Sequence, residues 1–140
     1  MRRLVSLLTC LMLLCGCAVA EQAAVQPHSG IMYQVFVGSF ADSDGDGVGD
    51  LNGIISRLDY IESLHIDRIW LTPIHPSPSY HHYDVLDYCD VAPEFGTLED
   101  FDRLTQACAA HGINVVMDLV VNHTSSLHPW FQEACAASGA

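Results

Sequence analysis

INVVMDLVVNH, residues Ile113–His123, decides how the chain is read. It follows Gly112 and is apolar as far as Val121, broken only by Asn114 and Asp118. A short run rich in valine and without polar alternation predicts a strand buried on both faces, which belongs in a parallel sheet covered by helices. Sheets of that kind carry their chemistry at the carboxyl ends of the strands. Asp118, Asn122 and His123 therefore become site candidates. The competing reading is a satisfied buried carboxylate followed by a loop histidine.

Working outward, Thr97 is a helix N-cap with Glu99 and Asp100 in the first turn, where the helix dipole favours carboxylates. Leu98, Phe101, Leu104 and Cys108 form the predicted buried stripe, and Gly112 ends the helix. Before it, Ile66–Thr72 is a second short strand stopped by Pro73. Leu51, Ile54, Ile55, Leu58 and Ile61 recur at helical spacing and predict one helix over Leu51–Leu64. Ile31–Val37 is the first strand, and a last helix is expected at about 128–137. The order β-α-β-α-β implies a right-handed parallel sheet. Three strands leave open edges, so the chain is expected to be the amino-terminal part of a longer protein.

Composition narrows the function. Of 140 residues, half are hydrophobic, and 17 acidic residues against 5 basic ones give a formal charge of -12. That is a globular composition, and its sign argues against nucleic acid or an anionic membrane surface as partner. Residues 1–20 differ: Arg2 and Arg3 precede the apolar run Leu4–Leu14, a signal-peptide core too short to span a bilayer. Leu14-Cys15-Gly16-Cys17 resembles a lipobox with lipid attachment at Cys17, giving a membrane-anchored lipoprotein. Cleavage after Ala18-Val19-Ala20 would instead release a secreted or periplasmic protein. Residues 21–30 are a polar tether and 31–140 the folded part. Cys89, Cys108 and Cys135 lie outside the leader; an exported compartment permits disulfides, but their pairing is not legible. Cys108, on a helical stripe, reads as a small core residue.

Two loops carry chemistry. In DSDGDGVGD, residues 42–50, Asp42, Asp44, Asp46 and Asp50 would repel one another unless a hard cation neutralised them, and Gly45, Gly47 and Gly49 let the backbone wrap it. Calcium, taking about six to eight oxygens, suits this better than magnesium. The loop is not an EF-hand: Gly53 stands where the bidentate glutamate belongs, and a strand precedes it. A solvated acidic turn is the alternative. The second loop, Tyr80-His81-His82-Tyr83-Asp84, follows the second strand. Tyrosine faces and histidine donors suit sugars, while a zinc pair is disfavoured because adjacent residues point apart.

YQVFVGSFADSDGDGVGDLNGI, IWLTPIHPSPSYHHYDVLDY, EFGTLEDFDRL and DLVVNHTS, in this order and spacing, resemble the alpha-amylase family of glycoside hydrolases (family 13) over Ile31–Phe131. The resemblance implies an α/β fold, a (β/α)8 TIM barrel, of which this chain supplies strands one to three and the start of the domain inserted after strand three. It implies a Ca2+ loop built from Asp42, Asp44, Asp46, the Val48 carbonyl and Asp50. Tyr83 matches the tyrosine that stacks on glucose at the cleavage subsite, His123 a histidine bonding the same glucose, and Asp118 a supporting aspartate. Asn122 matches a second calcium position of classical amylases. Tyr80 stands where many α-glucosidases of the group have aspartate, which points toward cutting inside a polymer.

The implied activity is retaining cleavage of α-glucosidic bonds in starch or malto-oligosaccharides. The implied catalytic aspartate, glutamate and aspartate, after strands four, five and seven, are not in this chain, so the chain by itself is expected to be inactive. Exo-acting α-glucosidase, oligo-1,6-glucosidase and glucanotransferase are the alternatives within the family. A non-catalytic, calcium-binding remnant is the alternative outside it. Oligomeric state is not legible.

Overall fold

The computed structural model describes residues 30–139. The leader, Cys17 and the tether up to residue 29 lie outside the described residues. Three parallel strands, β1 (Met32–Val35), β2 (Arg68–Leu71) and β3 (Asn114–Met117), form one sheet in the order β1-β2-β3. Five helices connect and follow them: α1 (Val37–Phe40), α2 (Leu51–Ile55), α3 (Leu58–Ser63), α4 (Leu98–Ala110) and α5 (Pro129–Ser138).

The register aligns Tyr33 with Ile69 and Val115, and Val35 with Leu71 and Met117. Side chains alternate across a strand, so these six residues share one face. Leu51, Ile54, Leu58 and Ile61 from α2 and α3, with Leu104 and Cys108 from α4, pack in the same core. Burial pushes the Cys108 thiol up to about 11, the behaviour of an inert core residue. Gln34, Trp70 and Val116 line the opposite face, where Val116 is 36% exposed.

Within residues 30–139, β3 is covered on one face. Among the described residues only β2 pairs with it, and helices cover one side. β3 is also shorter than Ile113–Val121. Its last ladder bond runs from Asp118 N to Leu71 O at 3.1 Å, just before Pro73 ends the usable edge of β2. Leu119 and Val121, beyond that point, are 64% and 81% exposed.

The single helix expected over Leu51–Leu64 is two helices. Ser56 Oγ donates to the Gly53 carbonyl at 2.6 Å, and Arg57 N turns to Ile54 O at 2.9 Å. A hydroxyl that competes for a helical acceptor tightens and bends the chain there. The apolar stripe continues across the break, which is why periodicity does not reveal it.

α4 begins as expected. Thr97 N donates to Asp100 Oδ2 at 2.7 Å and Asp100 N to Thr97 Oγ1 at 3.2 Å, a reciprocal capping box. Leu98 is 52% exposed rather than in the stripe. At 100° per residue it sits about 120° around the helix from Leu104. Asp100 is buried instead, accepting from Asn52 Nδ2 at 3.2 Å and pairing with Arg103, so it ties α2 to α4.

The Thr97 hydroxyl and amide hold the Asp100 carboxyl below its ordinary value of 3.8, burial opposing them. A lowered folded pKa means stability present above that ordinary value and lost as pH falls through the folded one. Asp100→Ala is expected to cost about 2 kcal/mol at neutral pH, mostly from the cap, since the exposed Arg103 adds little. Urea unfolding at pH 7 checks this, and the wild-type advantage should shrink below pH 4.

Candidate functional site

The acidic loop is closed at its neck by two backbone bonds, Gly49 N to Gly38 O at 2.9 Å and Asp50 N to Ala41 O at 3.0 Å. Inside it, Asp42 accepts from Gly45 N at 2.6 Å and Gly47 N at 2.9 Å. These backbone donors hold the Asp42 carboxyl below its usual range, the Gly45 amide contributing most. Gly45 and Gly47 have φ of 86° and 94°, the left-handed region that glycine adopts without strain. Gly49 is needed for a different reason, since a Cβ there would lie 2.2 Å from Val37 O.

Carboxylate oxygens of Asp42, Asp44 and Asp50 lie within 4.8 Å of one another. With metal–oxygen distances of about 2.3–2.6 Å, that spread fits ligands around one calcium ion, and an all-oxygen donor set is what a hard cation requires. Asp46 stands outside that group, and one of its oxygens accepts from Val48 N at 2.7 Å. Asp50 also caps α2, accepting from Gly53 N at 2.7 Å, and takes the Ser43 hydroxyl at 2.8 Å. Loop and helix are thus fixed by one carboxylate.

At the carboxyl ends of the strands, the loop after β2 meets the residue that follows β3. The Tyr83 hydroxyl donates to Asp118 Oδ2 at 2.8 Å. The anionic acceptor stabilises the protonated phenol and raises the Tyr83 pKa above 10.0, with partial burial adding to it. Alternation places Asp118 with Val116 on the uncovered sheet face. Rings continue from this pair: Tyr83 to His81 at 6.0 Å, His81 to Tyr80 at 5.3 Å and Tyr80 to Phe36 at 6.5 Å. Tyr80 is 82% exposed, an aromatic surface open to solvent.

Asp84 stabilises the turn beneath them. Burial works against its charge, yet the Ser79 and Ser77 hydroxyls hold its carboxyl below 3.8. His82 is not a surface donor. It is 2% exposed, its Nδ1 donates to His75 O at 2.8 Å, and its ring lies 4.5 Å from Phe95. His81 stays partly exposed, with the Ser79 hydroxyl 3.2 Å from its Nδ1.

Tyr83 and Asp118 are brought together, whereas His123 makes no bond with either among the described residues. Its ring is exposed, with Asn122 Nδ2 at 3.3 Å from its Nδ1. Its backbone carbonyl accepts from the Tyr88 hydroxyl at 3.0 Å. Sequence reasoning passed over Tyr88; its only signal is a second tyrosine in the YDVLDY run. Cys89, Cys108 and Cys135 are free thiols. No helix of the described residues is long and apolar enough to cross a membrane.

A family model described as the alpha amylase catalytic domain matches residues 34–139. The chain is 57% identical over 107 residues to Alpha-amylase 3 of Dictyoglomus thermophilum, covering 76% of this chain and 21% of the relative. To a trehalose-6-phosphate hydrolase of Bacillus subtilis it is 52% identical over 108 residues, 76% of this chain and 19% of the relative. Among solved structures, Eubacterium rectale Amy13B superposes with a TM-score of 0.77 at 52% identity, covering 79% of this chain and 22% of that one. The chain spans about a fifth of the length of these relatives. Its sheet is a three-strand portion of the TIM barrel that these proteins share, and the chain belongs to the alpha-amylase family of glycoside hydrolases.

Proposed function

We propose that the full-length gene product is a retaining glycosidase that cleaves α-1,4-glucosidic bonds of starch or maltodextrin. The observation that carries this is the Tyr83–Asp118 pair at the strand ends, opening onto the aromatic run through Tyr80. A tyrosine ring held by an anionic acceptor is a rigid platform for the apolar face of a glucose unit. His123 supplies a directed hydrogen bond to that sugar, and Asp118 keeps the ring in place. The carboxylates that attack the anomeric carbon and protonate the leaving oxygen are the aspartate and glutamate after strands four and five, with a supporting aspartate after strand seven. None of the residues named here takes those roles.

The relatives include a trehalose-6-phosphate hydrolase as well as an amylase, so the bond cleaved is a matter for assay. Tyr80 supports the polymer reading, because its exposed ring, joined to Tyr83 through His81, can support a second sugar unit, where an exo-enzyme needs a group that ends the site. Incubating the gene product with maltoheptaose, isomaltose and trehalose-6-phosphate separates the cases. Rapid appearance of mid-length products from maltoheptaose is expected. Release of glucose alone, or preference for either disaccharide, would favour exo-action.

The Ca2+ reading rests on the fit of Asp42, Asp44 and Asp50, while Asp46 and the Val48 carbonyl belong to the proposed set by the family resemblance alone. Calcium there would neutralise the clustered carboxylates and fix the loop between β1 and α2. Chelation is expected to lower the melting temperature by on the order of 5 °C, and Asp44→Ala should abolish that difference. An unchanged melting curve in chelator would remove calcium from the account. Export through the leader, with lipid attachment at Cys17 or cleavage after Ala20, is part of the same proposal. So is the division into leader, tether and barrel portion at residues 20 and 30. Mass spectrometry of the mature amino terminus distinguishes the two routes.

A further inference from the structure

We propose that Tyr88 is a positioning residue: its hydroxyl clamps the turn between β3 and α5 so that His123 is presented to the sugar. This rests on the sugar-binding reading of His123 given above. The Tyr88 hydroxyl reaches Val120 O at 2.8 Å and His123 O at 3.0 Å. A phenol carries one hydrogen, so the bond is shared between two carbonyls three residues apart.

Among the described residues, the middle of that segment has few other hydrogen-bond ties. Residues 118–127 form neither helix nor strand. Among the described residues, Val120 and His123 are the only carbonyls from Leu119 to Thr124 that accept a hydrogen bond, and Tyr88 donates both. Backbone ties lie only at its ends, Asp118 N to Leu71 O and Ser125 N to Val85 O at 3.0 Å. Between those anchors the burial of the Val120 side chain and the Tyr88 hydroxyl hold the path of the chain, and the hydroxyl is its hydrogen-bond tie at His123.

The Tyr88 ring is held independently of that hydroxyl. It stacks on Trp130 with centroids 6.0 Å apart and 17° between planes, and lies 5.9 Å from His75 and 5.8 Å from His128. His75 is itself fixed by Nδ1 donating to Asp90 O at 2.8 Å, and His128 caps α5 by accepting from Trp130 N at 3.1 Å. Tyr88→Phe therefore removes the clamp and leaves the packing.

The test compares Tyr88→Phe, His123→Asn and the double variant of the full-length gene product on maltoheptaose. Tyr88→Phe should lower kcat/KM about ten-fold. In the His123→Asn background the same change should matter less than about two-fold, because the residue it positions is already lost. A factor equal in both backgrounds means a general structural role and overturns the proposal. An impaired His123→Asn with a fully active Tyr88→Phe also overturns it. A fully active His123→Asn instead refutes the sugar-binding reading on which it rests. Amide hydrogen exchange gives a readout apart from activity: Tyr88→Phe should speed exchange at Ser125, whose amide closes the segment, and leave β3 unchanged. Unchanged exchange there would contradict the clamp whatever the kinetics show.

Discussion

Gly53→Ala is expected to destabilise the protein by about 3 kcal/mol or more, the upper end of the cost of overpacking a core position. A Cβ on Gly53 would lie 1.8 Å from Ala41 O and 3.1 Å from the Ala41 side chain. The oxygen cannot retreat freely, since it accepts from Asp50 N at 3.0 Å and so closes the neck of the acidic loop. Gly53 N is likewise committed to Asp50 Oδ1. One methyl group therefore strains α2, the loop and the α2 cap together. Gly112→Ala is the control: its φ is 70° but nothing lies within 4 Å of the added carbon. It should cost only about 1 kcal/mol, the ordinary penalty for a side chain in the left-handed region. Urea unfolding of both variants checks the contrast, and equal losses would contradict it.

Asp118→Ala is expected to reduce kcat/KM on malto-oligosaccharides by about a hundred-fold, because a platform displaced by an ångström loses most of its orienting effect. Tyr83→Phe, which keeps the ring and loses the same bond to Asp118, should cost a comparable factor. The pair also has an alkaline signature. The Tyr83 pKa is raised in the fold by its bond to Asp118, so the stabilisation it gives is fully present below the ordinary value of 10.0. It is lost as pH rises through the folded value. Wild type should accordingly lose stability above pH 10 more steeply than Tyr83→Phe, read by thermal melts across that range. A Tyr83→Phe curve superimposable on wild type would show that the bond contributes nothing in solution.

Sequence made the frame legible wherever one residue type has one use. Thr97 before acidic residues specifies the start of α4, Gly112 its end, and Pro73 the end of β2. The valine-rich run fixes the parallel strand, and Asp42–Asp50 the closed loop. Features arising from contacts between distant residues stayed hidden. The break at Ser56 depends on a hydroxyl choosing a carbonyl, and the apolar stripe runs through it undisturbed. Leu98 looked like core because apolar spacing ignores that Asp100, through Asn52 on α2, takes the inward position.

The site divides along the same line. Tyr83 and Asp118, 35 positions apart, meet because both follow strands of one sheet, which motif order anticipated. His82 sits in the same motif yet is folded inward against Phe95, since its φ of 59° turns it under the loop. Tyr88 went unnoticed because its contribution lies in where its hydroxyl ends, on carbonyls more than thirty residues away.

The most direct test follows maltoheptaose with the full-length gene product by proton NMR and reads the anomeric configuration of the first reducing ends formed. A retaining cleavage of α-bonds gives the α-anomer first, with the β-anomer growing in only by mutarotation. That is the expected result. Initial appearance of the β-anomer, or no cleavage at all with calcium present, would contradict the account.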